Sequence, residues 1–315
     1  MLKVLSLFSG IGAYERGLEN SGINVEVINY CEILEDKSRA YSLLHSVSEK
    51  KNLWDVTNIN TYQINDFDLL VYSPPCQSFS IAGKMQGIED LRGTLFYNAL
   101  EVIRDKKPKY CVMENVDKLA TRFNKDFEDM RDAIEMLGYN NYYKIINAKD
   151  FIPQNRNGVF LVSIRKDIDD GSFEFPIGED TRRWKDIIDL NDSRELTGRQ
   201  QRMINFARGL NTEDNIKLEG DVQFDNAVIT LRQSGLRFQS NREYPTITAY
   251  YGKGGGNFTM IAVDGKVTGI TSRNCFKLMG FEFEDSELLT KNGFSVSSQY
   301  VMAGGRVEWC TGPDY

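Results

Sequence analysis

The 315-residue sequence lacks features that define several protein classes. It has no run of about eighteen apolar residues, so we expect no membrane-spanning helix. Residues 1–8 lead directly into a glycine turn, without the apolar core and cleavage site of a signal peptide. The five cysteines are scattered and never paired as Cys-x-x-Cys, which favours reduced thiols in a cytoplasmic protein and disfavours structural zinc. No internal repeat or low-complexity tract is present.

The sequence also lacks an excess of positive charge, since 38 Lys and Arg against 45 Asp and Glu give a formal net charge of −7, and this balance gives no indication of a nucleic-acid partner. The distribution is uneven, however, because residues 195–275 contain ten Lys or Arg and eight Asp or Glu. Such a segment is weak evidence for a surface that faces a polyanion, and an ordinary mixed surface explains it equally well.

The most informative stretch is residues 73–80, which read Ser-Pro-Pro-Cys-Gln-Ser-Phe-Ser. It follows the apolar run 68–72, which predicts a buried strand. The two prolines end that strand and favour an extended turn at its carboxyl end, where open α/β sheets place their sites. Cys76 is therefore a candidate thiolate nucleophile, and a small buried apolar residue is the alternative.

A glycine turn near the start predicts a binding site. The apolar strand 3–8 precedes residues 9–12, Ser-Gly-Ile-Gly, and a helical pattern follows. This order allows backbone amides to approach a ligand, although a tight turn without a ligand is equally consistent. Glu32 follows the predicted strand 25–30, twenty residues after Gly12, as does the ribose-binding acid of dinucleotide-type folds.

Charged residues stand beside three other predicted strands. Asp55 lies at a plausible strand end, although exposed loop carboxylates are common. The predicted strand that begins at residue 110 ends in Glu114-Asn115-Val116, and a protonated Glu114 carboxyl beside an apolar crevice is able to donate a hydrogen bond; a helix-capping acid is the alternative. Arg156 precedes the predicted strand 159–164 and is a candidate for binding phosphate or a carboxylate, or for a surface salt bridge.

Two further regions complete the pattern. The polar, glycine-bearing stretch 81–93 is typical of a mobile lid. Regularity ends near residue 167, and the short candidate strands of 168–265 predict a second, smaller domain. Within it, the glycine-rich turn 252–257 carries Lys253, which suits either approach to a nucleic-acid backbone or a plain hairpin loop.

Taken together, these stretches resemble the cytosine-5 DNA methyltransferases. Five motifs of that family are matched in order, by residues 8–12, 74–77, 114–116, 154–156 and 273–281. The first resembles the family's S-adenosylmethionine-binding glycine motif, the second its Pro-Pro-Cys-Gln catalytic loop, and the third its Glu-Asn-Val motif. The fourth begins its Gln-x-Arg-x-Arg motif, and the fifth is similar to the helix before its C-terminal motif. The resemblance covers residues 4–165 and 270–307.

The resemblance implies a covalent mechanism. Cys76 would add to C6 of cytosine, turning the ring into an enamine that attacks the methyl group of S-adenosylmethionine. Glu114 would hydrogen-bond the base at N3 and its exocyclic amine, and Arg156 would steady the flipped nucleotide or Glu114. The base would leave the duplex and the loop 81–93 would close over it. S-adenosylhomocysteine would be the product.

The same resemblance implies two sets of binding residues. Phe8 would pack on adenine, Glu32 would bind the ribose hydroxyls, and Asp55 would bind the adenine amine. The implied cofactor residues are Phe8, Ser9, Gly10, Ile11, Gly12, Glu32, Ile33, Asp55, Val56 and Pro75. The implied DNA contacts are Gln77, Ser78, Ser80, Lys84, Arg92, Gln154 and Lys253.

The chain departs from the family pattern at three places. Gly158 stands where the second arginine of Gln-x-Arg-x-Arg is expected, which predicts reduced turnover. Residues 304–307 read Gly-Gly-Arg-Val where the family reads Gly-Asn-Ser-Val, which predicts a weakened side of the cofactor pocket. Ile33 stands where an aromatic residue is frequent.

We therefore expect an α/β fold with two domains. A Rossmann-like S-adenosylmethionine-dependent methyltransferase domain with a mixed, mostly parallel sheet would span 1–167 and be completed by 268–315. A small, mostly β or irregular DNA-recognition domain would span 168–267.

The expected function is methyl transfer to cytosine C5 in double-stranded DNA by a cytoplasmic, metal-free monomer. The expected setting is a restriction–modification or phage system in a bacterial or phage-infected cell. Two alternatives stay open: a DNA- or cofactor-binding homologue with impaired turnover, and a transfer-RNA cytosine-5 methyltransferase. A nicotinamide oxidoreductase would explain the glycines and Glu32 but neither residues 74–77 nor residues 114–116.

Overall fold

The computed structural model describes residues 1–75, 95–212, 216–232, 235–249, 251 and 258–304. The described chain divides by its internal packing into two compact units. The first comprises residues 1–147 and 157–177, and the second comprises residues 148–156 and 178–304. Compactness does not say which unit recognises a ligand, so the functional boundaries at 167 and 268 stay a prediction.

The first unit alternates strands and helices. Its described elements are β1 (Leu2–Leu7), α1 (Ala13–Asn20), β2 (Val25–Cys31), α2 (Glu35–Leu44), β3 (Leu69–Tyr72), α3 (Leu95–Lys106), β4 (Tyr110–Val116), α4 (Asp117–Thr121), α5 (Asn124–Met136), β5 (Tyr139–Asn147) and β6 (Asn157–Arg165). The strands form one sheet in the order β2-β1-β3-β4-β6-β5. The pairs among β2, β1, β3 and β4 are parallel, whereas β6 is antiparallel to both β4 and β5. The predicted mixed, mostly parallel sheet is confirmed.

The core of this unit lies against the central strands. Leu5 of β1 and Leu70 of β3 are fully buried, as short apolar strands between two neighbours must be. Helix α3 contributes Phe96 and Ile103 to the same cluster, and α5 contributes Met130. This packing fixes the carboxyl ends of the parallel strands relative to one another.

One sequence-based expectation about this unit is confirmed and one was wrong. Strand β4 ends at Val116, within residues 114–116 where its end was expected, and β6 pairs with every one of its residues. Asp55 does not follow a strand. It caps a single 3₁₀ turn, Val56–Asn58, and the neighbouring Asn52 forms only an isolated bridge with Tyr30.

The second unit contains a separate sheet and a cluster of helices. Its described elements are α6 (Trp184–Ile187), α7 (Gly198–Ala207), β7 (Lys217–Glu219), β8 (Ala227–Arg232), β9 (Gly235–Gln239), β10 (Thr259–Val263), β11 (Lys266–Gly269), α8 (Ser272–Leu278), α9 (Phe283–Lys291) and α10 (Val296–Gly304). The strand order is β11-β10-β8-β9-β7, and Ile229 and Met260 are buried within this sheet. Helix α8 begins after Thr271, whose hydroxyl caps it. No helix in the described ranges is both long and apolar enough to cross a membrane.

Candidate active site

Predicted site residues of the first unit lie at the carboxyl ends of its parallel strands. Cys31, Leu7, Tyr72 and Met113 lie in register across β2, β1, β3 and β4. The residues that follow them are Glu32, Phe8, Ser73 and Glu114. Strand β2 lies on one side of β1 and β3 lies on the other. The connections that leave the carboxyl ends of β1 and β3 therefore run in opposite directions. Such a switch point is where open α/β sheets bind ligands.

The glycine turn is tied to the end of β2 through Ser9. The Ser9 hydroxyl lies 3.0 Å from the carbonyl of Ser6 and 3.2 Å from that of Cys31. In return, the amide of Cys31 donates to the Ser9 hydroxyl at 3.2 Å. Phe8, just before the turn, has φ +57°, a conformation that costs energy in a residue with a side chain and that clusters at binding sites. The turn is therefore a fixed cradle of backbone groups.

Glu32 is held in place by two backbone amides. One carboxylate oxygen accepts from Gly10 at 2.9 Å, and the other accepts from Leu34 at 2.9 Å, next to the start of α2. The residue is buried, and the positive end of a helix favours a carboxylate there. An ionised carboxylate is an acceptor only, so ligand hydroxyls are suitable hydrogen-bond donors to this group.

The side chain of Asn52 fixes the backbone of Glu32. Its amide nitrogen donates to the carbonyl of Glu32 at 2.9 Å and to Ser38 Oγ at 2.8 Å. Its amide oxygen accepts from the backbone of Glu32 at 3.1 Å and of Trp54 at 2.9 Å. One buried side chain thus joins the predicted ribose-binding residue to the segment that leads into Asp55. No motif in the sequence indicated this role.

The other predicted cofactor residues differ in exposure. Asp55 is exposed at its carboxylate, and hydrogen bonds from the backbone and side chain of Thr57 hold the pKa of that carboxyl below its usual value. Ile33 is 60% exposed, whereas Ile11 and Val56 are buried. Asp55 and Ile33 are accessible to a ligand, and Val56 packs in the core cluster of the sheet.

Two hydrogen bonds connect the Ser-Pro-Pro segment with the Glu-Asn-Val motif on β4. Ser73 Oγ donates to the Glu114 carboxylate at 3.3 Å, and the Asn115 amide donates to the carbonyl of Pro74 at 2.9 Å. Both Glu114 and Asn115 are buried. The chain that leads into Cys76 is therefore anchored to the strand that carries Glu114.

Gly158 lies on β6 beside the same carboxylate. A β-carbon at this position would lie 3.1 Å from Glu114 Oε1 and 3.4 Å from the Asn115 carbonyl. Because Gly158 has no side chain, its backbone lies close to the Glu114 carboxylate, and the Phe160 ring is 3.6 Å from the same β-carbon position. The position where the family pattern expects an arginine is, in space, the position adjacent to Glu114.

Arg156 and Gln154 belong to the second unit. The Arg156 guanidinium is largely buried and donates to the carbonyl of Ile247 at 3.4 Å. Gln154 is fully buried, and its amide donates to the carbonyl of Leu278 at 3.1 Å. The predicted DNA contact of Gln154 stays a prediction. The predicted catalytic role of Arg156 stays a prediction.

Three cysteines are described, and none has the properties of a nucleophile. Cys31, Cys111 and Cys275 are all buried. Burial, reinforced by Glu32 and Asp55, raises the pKa of the Cys31 thiol to about 12. Burial also raises the thiol pKa of Cys111 and of Cys275. At neutral pH these three side chains are protonated thiols.

Several predicted site residues lie outside the described ranges. They are Cys76, Gln77, Ser78, Ser80, Lys84, Arg92 and Lys253.

Sequence reasoning also missed His45, whose ring contacts the glycine turn. A single histidine thirty-three positions after Gly12 belongs to no motif, so only the fold reveals it.

Comparisons with known proteins agree with this arrangement. The sequence model of the family described as C-5 cytosine-specific DNA methylase matches residues 2–304. The type II methyltransferase M.Bsp6I of Bacillus sp. is 32% identical over 290 residues, which is 89% of this chain and 88% of that protein. The orphan methyltransferase M.SPRI of Bacillus phage SPR is 40% identical over 169 residues, but the match spans only 53% of this chain and 38% of that protein.

The fold has solved counterparts. The structure of the Entamoeba histolytica methyltransferase EhMeth superposes with a TM-score of 0.68, covering 98% of this chain and 94% of that one, at 19% identity. This likeness confirms the predicted Rossmann-like α/β fold.

Proposed function

This chain belongs to the C-5 cytosine-specific DNA methylase family, and we propose that it transfers a methyl group from S-adenosylmethionine to C5 of cytosine in double-stranded DNA. The type II and phage orphan relatives support a place in a restriction–modification or phage system. We further propose that it acts as a monomer, without metal, and that residues 168–267 recognise the target.

One observation carries the proposal: the segment leading to Cys76 and the strand bearing Glu114 are hydrogen-bonded to each other through Ser73 and Asn115. Addition of a thiolate to C6 succeeds only if a second group stabilises the charge that develops on the ring. The hydrogen bonds of Ser73 and Asn115 hold the segment before the proposed nucleophile to the strand that bears the carboxyl, which supports a preorganised arrangement of the two groups.

The residues divide the chemistry as follows. The Cys76 thiolate adds to C6, and Glu114 hydrogen-bonds the pyrimidine edge so that electron density accumulates at C5. S-adenosylmethionine supplies the electrophilic methyl group. Loss of the C5 proton and departure of Cys76 then restore the aromatic ring. Arg156 steadies the nucleotide or the Glu114 carboxylate.

The donor site is proposed at the glycine turn. Glu32 fits a ribose because its carboxylate is buried and fixed by Gly10 and Leu34, and because a carboxylate accepts hydrogen bonds from hydroxyl donors. The exposed Asp55 carboxylate suits an adenine amine, and Phe8 suits the adenine face. Ser9, Ile11, Gly12, Ile33, Val56 and Pro75 complete the proposed pocket.

Transfer of a labelled methyl group tests this function. Purified protein is incubated with methyl-labelled S-adenosylmethionine and either mixed-sequence duplex DNA or transfer RNA. The proposal predicts that label appears in DNA with the wild type and not with Cys76→Ala. Cys111→Ala, which changes a buried cysteine, is the matched control and should still transfer label. Label in RNA alone would favour the transfer-RNA enzyme. Binding of DNA and S-adenosylmethionine without methyl transfer would favour the turnover-impaired homologue. Gly158, which replaces the expected arginine, is the reason to consider that alternative.

A further inference from the structure

His45, the only histidine in the chain, lies between the glycine turn and helix α1. Its Nε2 is 3.0 Å from the carbonyl oxygen of Ile11, and its Nδ1 is 3.0 Å from a carboxylate oxygen of Glu19. The side chain is only 1% exposed. The ring therefore has two fixed partners and little contact with water.

The ring also explains the second glycine of the turn. A β-carbon on Gly12 would overlap the imidazole, closer than any real contact allows. Gly12 additionally has φ +81°, which side-chain-bearing residues rarely adopt. His45 thus packs directly on the backbone of the turn whose neighbouring amide, Gly10, holds Glu32.

Both partners of the ring are acceptors, and this has a consequence for its protonation. A backbone carbonyl and an ionised carboxylate offer only lone pairs, whereas a neutral imidazole has one N–H and one lone pair. The neutral ring is therefore able to satisfy Ile11 or Glu19 but not both. The doubly protonated ring donates to both at once and also pairs with the carboxylate charge.

The charged groups around the ring are few. Helix α1 presents Glu19 and Arg16, which form an ion pair at 3.0 Å. Helix α2 presents the ring of Tyr41, 4.9 Å from His45, and its hydroxyl donates to the buried Glu15. Partial burial opposes ionisation of Glu19, but the hydrogen bond and charge of His45, with Arg16, hold the pKa of that carboxyl below its usual value.

We propose that protonated His45 is a positioning residue that holds the glycine turn in its ligand-binding shape, so that affinity for the methyl donor and its product falls as His45 loses its proton. This rests on the proposed function, because it requires the turn to bind that ligand. The sign follows from the geometry: the protonated ring makes both bonds and the neutral ring only one, so the effect is present while the ring is protonated and is lost when it gives up its proton.

Calorimetric binding of S-adenosylhomocysteine to the full-length protein between pH 6 and pH 8 provides the test. For the wild type we expect affinity to fall roughly tenfold across that range, in keeping with a lost hydrogen bond to a charged group. His45→Gln should bind more weakly at pH 6 and show no such dependence on pH. Glu101→Gln, on the exposed face of α3, is the control and should follow the wild type.

A second measurement needs no variant. NMR of protein labelled at its one histidine reports the titration of His45 directly. Linkage requires that a tenfold preference for the protonated ring appear as an upward shift of about one pH unit in the His45 midpoint when S-adenosylhomocysteine is added. Binding without a pH dependence, or a midpoint that the ligand leaves unchanged, overturns the inference alone. Absence of binding at every pH contradicts the proposed function, and this inference with it.

Discussion

The side-chain amide of Asn115 donates a hydrogen bond of 2.9 Å to the carbonyl of Pro74, two residues before Cys76. The same side chain accepts from the amide of Val116 at 2.9 Å. Asn115 therefore connects the end of β4 to the segment that carries the proposed nucleophile. Its neighbour Glu114 is connected to the same segment through Ser73.

Asn115→Ala should lower the rate of methyl transfer more than it lowers cofactor affinity. Removing the amide leaves the Pro74 carbonyl without this donor, at a cost of about 1–3 kcal/mol, and releases the Cys76 segment from β4. We expect kcat to fall at least tenfold while the Kd for S-adenosylhomocysteine changes less than twofold. Asn141→Ala, which removes a structural amide bonded to Arg131, is the control. Unchanged kcat in the Asn115 variant would contradict the anchoring role.

Asn52→Ala should lower cofactor affinity more than it lowers the rate of methyl transfer. Loss of its four hydrogen bonds frees the backbone of Glu32 and Trp54, which frame the proposed ribose and adenine contacts. We expect the Kd for S-adenosylhomocysteine to rise about tenfold, with kcat at saturating donor reduced much less. The control is Asn29→Ala on β2, which removes one side-chain hydrogen bond to the carbonyl of Lys51. This variant should leave the Kd within twofold. Calorimetry and saturation kinetics measure both quantities.

Gly158→Ala should reduce turnover through Glu114. The new β-carbon would lie 3.1 Å from Glu114 Oε1, so the carboxylate must move by a few tenths of an ångström. Positioning of the reacting groups is sensitive to such shifts, and we expect kcat to fall several-fold with cofactor affinity unchanged. Gly17→Ala in α1, where a β-carbon meets nothing within 4 Å, is the control and should keep full activity. An unaltered kcat for Gly158→Ala would show that Glu114 is not sensitive to this neighbour.

Thiol alkylation should separate the cysteines by position. Cys31, with a pKa of about 12, and the buried Cys111 and Cys275 should resist iodoacetamide at pH 8 in the native protein. Peptide mass spectrometry should find alkylation of these three only after unfolding. Rapid native alkylation of Cys31 would contradict its burial against the Trp54 carbonyl.

The sequence predicted most of the sheet because its strands are short apolar runs bounded by turn residues. β1 and the start of the glycine turn were located correctly for that reason. The end of β4 falls within the expected residues 114–116, but its pairing with β6, a partner more than forty positions away, leaves no local pattern. The turn that begins at Asp55 was not predicted, because polar residues that cap a 3₁₀ turn resemble those that end a strand.

The site was predictable only where motifs carry it. Glu32 and Glu114 were located from their spacing and from the family pattern, and the fold places both beside the switch point of the sheet. Asn52 and His45 touch the same turn and strand ends through contacts that span twenty or more residues. Such contacts leave no local pattern, so only the packing of α1, α2 and β2 brings them into view.

The most direct test of the account is formation of a covalent complex with DNA that contains 5-fluorocytosine. Fluorine at C5 cannot leave as a proton does, so an enzyme that attacks through Cys76 remains attached after methyl transfer. With S-adenosylmethionine present, we predict a DNA-linked species that survives denaturing electrophoresis and maps to Cys76, and none for Cys76→Ala. A wild-type protein that methylates DNA yet forms no such species, or a Cys76→Ala variant with normal transfer, would contradict the account.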